Sequence, residues 1–356
     1  MKNIISVVGA RPQFIKASVV DMEFKKRISI GININHEIIH TGQHFDSNMS
    51  KIFFEQLDLT EPKVYLDINN STHGDMTGRM IQKLEKIMLE KATDLCVIYG
   101  DTNSTMAAAL SAVKLGIPVA HVEAGMRRYD LSIPEDVNRR VSDHVSTLFF
   151  CSSETYAENL RKENLTNGIY VVGDVTYDSY KCFKNKAVLP DGVKHLRDYV
   201  VCTIHRQANT DDKERLVKVI ESLRRVEKKA VMPLHPRTKN AMSSHGLNWP
   251  KNVILLDPVS YFEMLALLEN CLFVITDSGG LQKDAAFSKK RCLTLLETTP
   301  WKELMELDIN RPVDDNPDEI CRNLSWAEKN VEDFVCPYGD GKASSQICDI
   351  ITSYLT

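Results

Sequence analysis

At 356 residues the chain exceeds the length that one hydrophobic core usually supports, so we expect two domains of ordinary size. Its 43% of hydrophobic and 26% of charged residues are typical of a globular protein, and its net charge of −4 gives no reason to expect nucleic acid or an anionic membrane as a partner. No apolar run approaches the roughly 20 residues of a membrane-spanning helix.

The N-terminal segment and the cysteines both indicate a cytoplasmic protein. An apolar run over residues 4–8 begins close to the first residue, and no signal-peptide cleavage site accompanies it. The nine cysteines are scattered, form no CxxC pair and often lie in apolar runs, which favours reduced core thiols over disulfides or a zinc site. No GxGxxG motif follows the first predicted strand, so a nicotinamide is disfavoured and we expect no cofactor.

Short apolar runs alternate with amphipathic helical patterns along almost the whole chain, which is typical of parallel sheets covered by helices on both faces. The clearest helical period covers residues 74–91. Two doubly wound sheets are the economical interpretation, with domains at 1–173 and 174–342. Strands are predicted at 4–8, 37–41, 95–99, 119–122, 148–151, 169–172, 200–204, 231–234, 253–256, 272–275 and 291–295.

Polar and ionisable residues follow nearly every predicted strand. In open parallel sheets ligands bind beyond the carboxyl ends of the strands, so with two sheets we expect the site in the cleft between the domains. Scattered solvated loops would not be sorted in this way. The first domain supplies Arg11, Lys16, Gln43, His44, Asp101, Glu123, Glu135 and Arg139, and the second supplies His205, Arg206, His235, Ser278, Gly279 and Gly280.

A glycine-containing turn joins the predicted strand at 272–275 to a helix that continues to residue 287. Gly279 and Gly280 would let the backbone approach a ligand closely, and the helix start offers unpaired N–H groups to an anion such as a diphosphate. The alternative is a tight turn whose glycines serve geometry alone.

Carboxyl groups predict acid/base chemistry in the first domain. Asp101 and Glu123 each come at the end of a buried strand, where burial and a neighbouring like charge suit a carboxyl group to proton transfer. Glu135 begins a helix with Arg139 one turn later, which is equally typical of a surface ion pair. His205, beside an arginine at a strand end, is placed to meet a phosphate. Together these groups predict proton transfers on a nucleotide-linked substrate.

One metal-binding pattern must be weighed. Residues 36–40 spell HExxH, which binds zinc only when both histidines share one face of a helix. Here it overlaps a predicted strand, which would hold the two backbones roughly 13 Å apart at about 3.3 Å per residue. We interpret the pattern as chance and expect no metal.

Seven motifs, in order and over nearly the whole chain, resemble the non-hydrolysing UDP-N-acetylglucosamine 2-epimerase family. They are GARPQ at 9–13, HTGQHFD at 40–46, GDTNS at 100–104, HVEAG at 121–125, PEDVNR at 134–139, TDSGGLQ at 276–282 and YGDGKA at 338–343. The resemblance implies a GT-B-like α/β fold of two Rossmann-type domains, with the helix at 343–356 returning to the first. It also implies a homodimer that eliminates UDP from the sugar and adds it back with C2 inverted, for surface polysaccharide synthesis.

The resemblance also assigns roles to the strand-end residues. It makes Asp101, Glu123 and Glu135 the acid/base candidates, with His205 and Arg11 stabilising the leaving diphosphate. Lys16, Arg139, Gln43, His44, Arg206 and His235 would hold the substrate or UDP, Ser278, Gly279 and Gly280 the phosphates, and Asp284 the ribose in place of the family's usual glutamate.

The chain departs from the family pattern near these residues. Ala208 replaces an acid, Leu296 replaces an arginine, and Arg127-Arg128 adds a second basic side chain. The motif sequences look most like those of the branch that acts on UDP-2,3-diacetamido-2,3-dideoxy-glucuronate. This sugar has a carboxylate with which an extra arginine could pair. A GT-B glycosyltransferase and a non-catalytic UDP-sugar sensor remain as alternatives of other classes.

Overall fold

The strands of the molecule are parallel and form two sheets, which confirms the predicted fold class. The computed structural model describes residues 1–43, 54–332 and 334–356. His44, which the sequence predicts to bind substrate, lies outside the described residues.

Contacts divide the chain into two units, each with its own sheet. Unit 1 comprises Met1–Cys182 and Tyr338–Thr356, and unit 2 comprises Phe183–Pro337.

The described residues of unit 1 form seven strands. They are β1 (Lys2–Val8), β2 (Ile34–His40), β3 (Val64–Tyr65), β4 (Leu95–Tyr99), β5 (Val119–Val122), β6 (Leu148–Cys151) and β7 (Ile169–Val171). Their order in the sheet is β3-β2-β1-β4-β5-β6-β7. Chain order reverses between β1 and β4, and doubly wound sheets bind ligands at such a switch point.

Helices accompany these strands in chain order. They are α1 (Arg11–Ser29), α2 (His73–Glu90), α3 (Asn103–Lys114), α4 (Pro134–Val145), α5 (Glu154–Lys162) and α6 (Val175–Phe183). Every residue of β4 and β5 is buried, which explains why β4 is an unbroken apolar run and why β5 is apolar except for His121.

Unit 2 repeats this plan with six strands in the order β10-β9-β8-β11-β12-β13. Its strands are β8 (Tyr199–Thr203), β9 (Lys229–Pro233), β10 (Val253–Leu256), β11 (Val274–Thr276), β12 (Cys292–Thr294) and β13 (Asn310–Pro312). Its α-helices are α7 (Gln207–Thr210), α8 (Lys213–Arg225), α9 (Pro236–Ser244), α10 (Tyr261–Asn270), α11 (Gly279–Phe287), α12 (Lys302–Glu306) and α13 (Pro317–Ala327).

The last helix, α14 (Ala343–Leu355), belongs to unit 1 and packs on α1. Arg27 of α1 donates to the carbonyl oxygen of Ser345 at 2.8 Å and to Oδ1 of Asp349 at 2.6 Å. Asp178 accepts the backbone N–H groups of Ala343 and Ser344 at 3.2 and 2.7 Å, which satisfies the start of the helix.

Two strands have no counterpart in the sequence prediction. β3 has two residues and β13 has three, and each lies at an edge of its sheet. Both strands are short and only partly buried, so neither carries an apolar run long enough to identify it. Across the described ranges, no helix is both long enough and apolar enough to span a bilayer.

Candidate active site

Two of the predicted acids follow neighbouring strands at the same edge of the sheet of unit 1. Tyr99 of β4 lies opposite Val122 of β5, and the N–H of Gly100 donates to the carbonyl oxygen of Val122 at 3.0 Å. Asp101 and Glu123 come directly after this pairing. The two carboxylates therefore project from adjacent turns, as the strand-end argument predicts.

Lys16 connects these turns to α1. Its ammonium group pairs with Glu123, and the two side chains are only 13% and 10% exposed. A Cβ atom on Gly100 would lie 3.4 Å from Nζ of Lys16, so the ammonium group also lies close to the backbone before Asp101. A cation so close to both turns can orient one acid and meet a negatively charged ligand beside the other.

The turn at Glu123 has an unusual backbone. Glu123 has a φ of 71°, in the left-handed region that a residue with a Cβ seldom occupies. Its N–H donates to the carbonyl oxygen of Phe150 at 3.0 Å. Gly125 has a φ of 84°, and a Cβ there would lie 2.2 Å from the carbonyl oxygen of Tyr156. Contacts with the surrounding structure thus hold Glu123 in a backbone conformation that is unfavourable for a residue with a Cβ atom.

Helix α4 places Arg139 beside Asp101. The guanidinium of Arg139 forms an ion pair with Asp101 and lies 3.6 Å from Oδ1 of the buried Asp136. Asn138 donates to the carbonyl oxygen of Asp101 at 2.9 Å. Glu135 is exposed on the first turn of the helix. The guanidinium of Arg139 therefore pairs with Asp101. These contacts take the place of the surface ion pair with Glu135 that the sequence spacing allowed.

The loops after β1 and β2 are held by short polar contacts. Oε1 of Gln43 accepts from the N–H and the hydroxyl of Ser104 at 3.0 and 2.7 Å. A Cβ on Gly9 would lie 2.2 Å from the hydroxyl oxygens of both Thr41 and Ser104. Arg11 starts α1 directly after this crowded turn and is partly exposed.

The HExxH pattern lies on strand β2, and its two histidines have separate partners. Nδ1 of His36 lies 3.0 Å from Oδ1 of Asp21, and its Nε2 lies 2.9 Å from the hydroxyl of Ser6. Nδ1 of His40 accepts the N–H of Gly42 at 3.0 Å, and burial lowers the pKa of His40 to about 4. Within the described ranges, no three His, Cys, Asp or Glu side chains come together as a metal site would require.

In unit 2, Asp277 organises the predicted phosphate-binding residues. This carboxylate is fully buried and accepts the backbone N–H groups of His205 and Arg206 at 2.9 and 2.8 Å. Nδ1 of His205 lies 3.2 Å from Oδ1 of Asp277, and Asn209 donates to Oδ2 at 3.0 Å. Burial raises the pKa of Asp277, but the His205 contact and these donors outweigh burial and hold the pKa below its usual value.

The glycine turn offers an open helix start. The hydroxyl of Ser278 caps α11 by accepting the N–H of Leu281 at 3.4 Å. Neither Gly279 nor Gly280 has a positive φ, and a Cβ on Gly280 would meet no atom within 4 Å. The nearest atoms to a Cβ on Gly279 include Nη2 of Arg206 at 3.8 Å. The protein's own packing therefore does not require these glycines, whereas a ligand approaching the N–H groups would.

The other predicted residues of unit 2 lie close to this turn in the fold. His235 caps α9 by accepting the N–H of Arg237 at 3.2 Å, and its ring centroid lies 5.5 Å from that of His205. Asp284 lies one turn beyond Gly280 on α11 and is partly exposed.

Sequence reasoning missed three buried ionisable groups. Asp277 lies in the glycine-turn motif and His121 in the HVEAG motif, but the sequence analysis assigned no role to either. Their position beside proposed site residues was the sequence signal that could have identified them. Arg127 was counted only as extra basic charge. The structure buries it and pairs it with Asp143 at 2.6 Å and with Glu163 at 2.7 Å. Of the Arg127-Arg128 pair, only Arg128 is partly exposed.

The fold has two doubly wound sheets, with acids at the strand ends of one and a glycine turn at a helix start in the other. These features define a two-domain α/β enzyme of the nucleotide-sugar type. The sequence model described as UDP-N-acetylglucosamine 2-epimerase matches residues 27–352. The chain belongs to this family, and it is therefore an isomerase, a UDP-sugar 2-epimerase.

Individual relatives agree over their full lengths. The UDP-2,3-diacetamido-2,3-dideoxy-D-glucuronate 2-epimerase of Pseudomonas aeruginosa is 42% identical over 355 residues, which cover 98% of this chain and 99% of that protein. The crystal structure of Methanocaldococcus jannaschii UDP-GlcNAc 2-epimerase in complex with UDP-GlcNAc and UDP is 36% identical, with a TM-score of 0.90 over 99% of this chain and 100% of that one. A calicheamicin glycosyltransferase at 12% identity has a TM-score of 0.55 over 100% and 98%, a likeness that shows the fold alone and agrees with the GT-B-like class.

Proposed function

We propose that this enzyme interconverts UDP-N-acetylglucosamine and UDP-N-acetylmannosamine without hydrolysis. The observation that carries the proposal is the pair of carboxylates Asp101 and Glu123, which end adjacent buried strands and are each paired with a cation, Arg139 and Lys16. Inverting a carbon requires removal of a proton from one face and its return on the other, so at least two acid/base groups must be held near each other.

The reaction has two stages. A base takes the proton from C2, the C1–O bond breaks, and UDP leaves with that electron pair, which gives a 2-acetamidoglucal. UDP then adds back at C1 while an acid delivers a proton to the opposite face of C2. No oxidant or reductant is needed, so the chemistry can be carried by side chains and UDP alone.

In unit 1 we assign the proton transfers to Asp101, Glu123 and Glu135. Lys16 and Arg139 neutralise charge beside the first two and orient their carboxylates. Arg11, at the start of α1, meets negative charge on the diphosphate. These ion pairs support the assignment because an unpaired cluster of carboxylates would be costly at low exposure.

In unit 2 we assign the diphosphate to the start of α11. Gly279 and Gly280 would offer backbone N–H groups at the positive end of the helix dipole and Ser278 its hydroxyl, since the N–H of Ser278 donates to the hydroxyl of Thr276 at 2.9 Å; Arg206 lies beside Gly279. His205, oriented by Asp277, donates to the leaving diphosphate. We assign Gln43, His44, His235 and Asp284 to substrate or UDP binding on the resemblance.

Proton NMR of UDP-N-acetylglucosamine with the purified protein in D2O tests the proposal. We expect deuterium at C2 and signals from both epimers, and Asp101→Asn should abolish the exchange. Tight binding without exchange would instead support a sensor, and UDP released only when an acceptor sugar is added would support a transferase.

A second substrate is favoured by the relative from Pseudomonas aeruginosa, which is 42% identical. That protein acts on UDP-2,3-diacetamido-2,3-dideoxy-D-glucuronate, and the carboxylate of such a sugar could pair with Arg128. The same NMR experiment with this nucleotide decides between the substrates. Arg128→Gln should raise KM for the acidic sugar and leave KM for the neutral sugar unchanged.

We also propose a cytoplasmic homodimer. All nine cysteines are free thiols, and most are buried, which suits a reducing compartment. The support for the dimer is the family resemblance, and light scattering on the purified protein measures it.

A further inference from the structure

Four ionisable side chains form a buried network next to the acids of unit 1. Nδ1 of His121 lies 2.7 Å from Oδ1 of Asp143, and Arg127 donates to Oδ2 of the same carboxylate at 2.6 Å. Arg127 also donates to Glu163 through Nε and Nη2, at 2.8 and 2.7 Å. The side chains of His121, Asp143 and Arg127 are 0% exposed. The epimerisation scheme gives this network no task.

Both ring nitrogens of His121 face groups that accept hydrogen bonds. Nε2 lies 2.8 Å from the carbonyl oxygen of Gly100, which has no proton to give. Asp143, on the other side, accepts the N–H of Gly125 at 3.2 Å and the guanidinium of Arg127. Burial raises the pKa of Asp143, but His121 and Arg127 outweigh burial and hold the pKa below its usual value, so this carboxylate is ionised.

The hydrogen-bond count then fixes the state of the ring. A neutral imidazole has one N–H and could satisfy only one of the two acceptors, whereas a doubly protonated ring donates to both. The contacts of His121 to Gly100 and Asp143 therefore identify it as a buried cation.

The charges of the network agree with this state. Asp143 and Glu163 are two negative charges, and Arg127 supplies one positive charge between them. Glu163 is 17% exposed and also has Nδ1 of His144 at 3.8 Å, whereas Asp143 has no exposure, and an imidazolium at His121 supplies a second positive charge beside it.

The network forms hydrogen bonds to both of the turns that carry the proposed acids. His121 holds the carbonyl oxygen of Gly100, the residue before Asp101. Asp143 holds the N–H of Gly125, two residues after Glu123, whose φ of 71° needs external support. A single bonded pair, His121 with Asp143, thus ties the β4 turn to the β5 turn.

We propose that His121 is a positioning residue for the epimerisation, a buried imidazolium that keeps the Asp101 turn and the Glu123 turn in register. The inference rests on the proposed function, because it takes these two carboxylates as the acid/base groups. His121 acts through Gly100 and Asp143 and does not touch the substrate. Its loss matters because a displacement of about 1 Å in a catalytic group can lower the rate by about 100-fold.

Two substitutions separate the two contacts. His121→Asn places an amide where Nδ1 was and keeps a donor to Asp143, whereas His121→Gln reaches towards Gly100 and loses the donor to Asp143. In both folded variants we expect kcat for C2 exchange to fall by about tenfold to 100-fold with little change in KM. His195→Gln is the control, since this histidine is exposed in unit 2 and lies outside the network, and its kcat should not change.

A wild-type kcat in both folded His121 variants would overturn the proposal. So would an equal loss of kcat in the His195 control. A melting curve establishes that each variant is folded before its kinetics are compared.

Nitrogen-15 NMR of histidine-labelled wild-type protein supplies a readout that needs neither a variant nor activity. At neutral pH we expect a bonded proton on both ring nitrogens of His121, assigned through its own backbone. A ring with one bare nitrogen would overturn the proposal even if the variants were inactive. If the wild-type enzyme exchanged C2 of neither UDP-sugar, the proposed function would fail, while this spectrum would still report on the network.

Discussion

Asp277 holds His205 by both its main chain and its side chain. The carboxylate accepts the N–H of His205 at 2.9 Å and lies 3.2 Å from Nδ1 of the ring. Because Nδ1 lies against a carboxylate, Nε2 is the ring nitrogen that remains for a ligand.

We expect Asp277→Asn to lower kcat by about 10- to 100-fold, the worth of one hydrogen bond to a charged group. The amide can no longer stabilise the positive ring that the departing diphosphate needs. Steady-state kinetics of C2 epimerisation measure the effect. Asp191→Asn is the control, since that carboxylate is 95% exposed in the same unit, and a similar loss there would refute the role of Asp277.

Arg139 and Arg140 are adjacent on α4 and both lie near Asp136, at 3.6 and 3.5 Å, but they differ in their relation to Asp101. Arg139 pairs with Asp101, whereas Arg140 is 31% exposed and its Nε lies 3.5 Å from Asp136. We expect Arg139→Gln to reduce kcat/KM by about 10- to 100-fold, because Asp101 loses its charged partner. Arg140→Gln should behave as wild type, and equal losses in the two variants would contradict a specific role for Arg139.

The sequence predicted strands well where burial is continuous. β4, β5 and β6 have the predicted bounds because every residue of these strands is buried and most of the residues are apolar. The edge strand β10 also has the predicted bounds, because its four residues are all apolar although none of them is fully buried. The candidate acids were chosen for the same reason, since a polar residue that follows such a run is conspicuous.

Side-chain partners could not be predicted in this way. Arg139 was four residues from Glu135 in the sequence, and that spacing hid its pairing with Asp101, 38 positions away. His121 and Asp143 are 22 positions apart on a strand and a helix. Only the packing of α4 on the sheet brings such groups together, and a single sequence contains no record of that packing.

Gly280 gives a test that separates stability from binding. An added Cβ would meet no atom within 4 Å, so Gly280→Ala should leave the free energy of unfolding unchanged or raise it by up to about 1 kcal/mol. The same methyl group would obstruct a phosphate at the helix start, so KM for the UDP-sugar should rise.

Gly78→Ala on α2 is the matched control, because a Cβ there also meets no atom within 4 Å. It should stabilise the protein by up to about 1 kcal/mol and leave KM unchanged. An unchanged KM in Gly280→Ala would argue against phosphate binding at α11. Thermal unfolding and steady-state kinetics measure the two quantities.

Asp21 should make stability depend on acid. Its carboxylate accepts from the N–H and hydroxyl of Thr60 at 2.9 and 2.8 Å and lies 3.0 Å from Nδ1 of His36. Burial raises the pKa of Asp21, but these contacts outweigh burial and lower it from 3.8 to about 2. Because the pKa of Asp21 is lower in the folded than in the unfolded state, its carboxylate stabilises the folded protein at pH values above the unfolded pKa. This contribution of about 2 kcal/mol to the free energy of unfolding is lost as pH falls from about 4 to about 2.

Asp21→Asn removes that titration. We expect the difference in the free energy of unfolding between wild type and variant to shrink over the same pH interval, as measured by urea unfolding. A difference that stays constant from pH about 4 to about 2 would contradict the assignment.

The docking of α14 on α1 has a consequence for biosynthesis. Phe24 of α1 and Ile347 and Ile351 of α14 are buried, yet the ribosome makes the whole of unit 2 between these helices. The apolar face of α1 therefore remains without its packing partner until unit 2 has been translated and α14 has emerged from the ribosome. Unit 1 cannot finish folding first, as an N-terminal domain usually does, so its completion is deferred until unit 2 and α14 have been made.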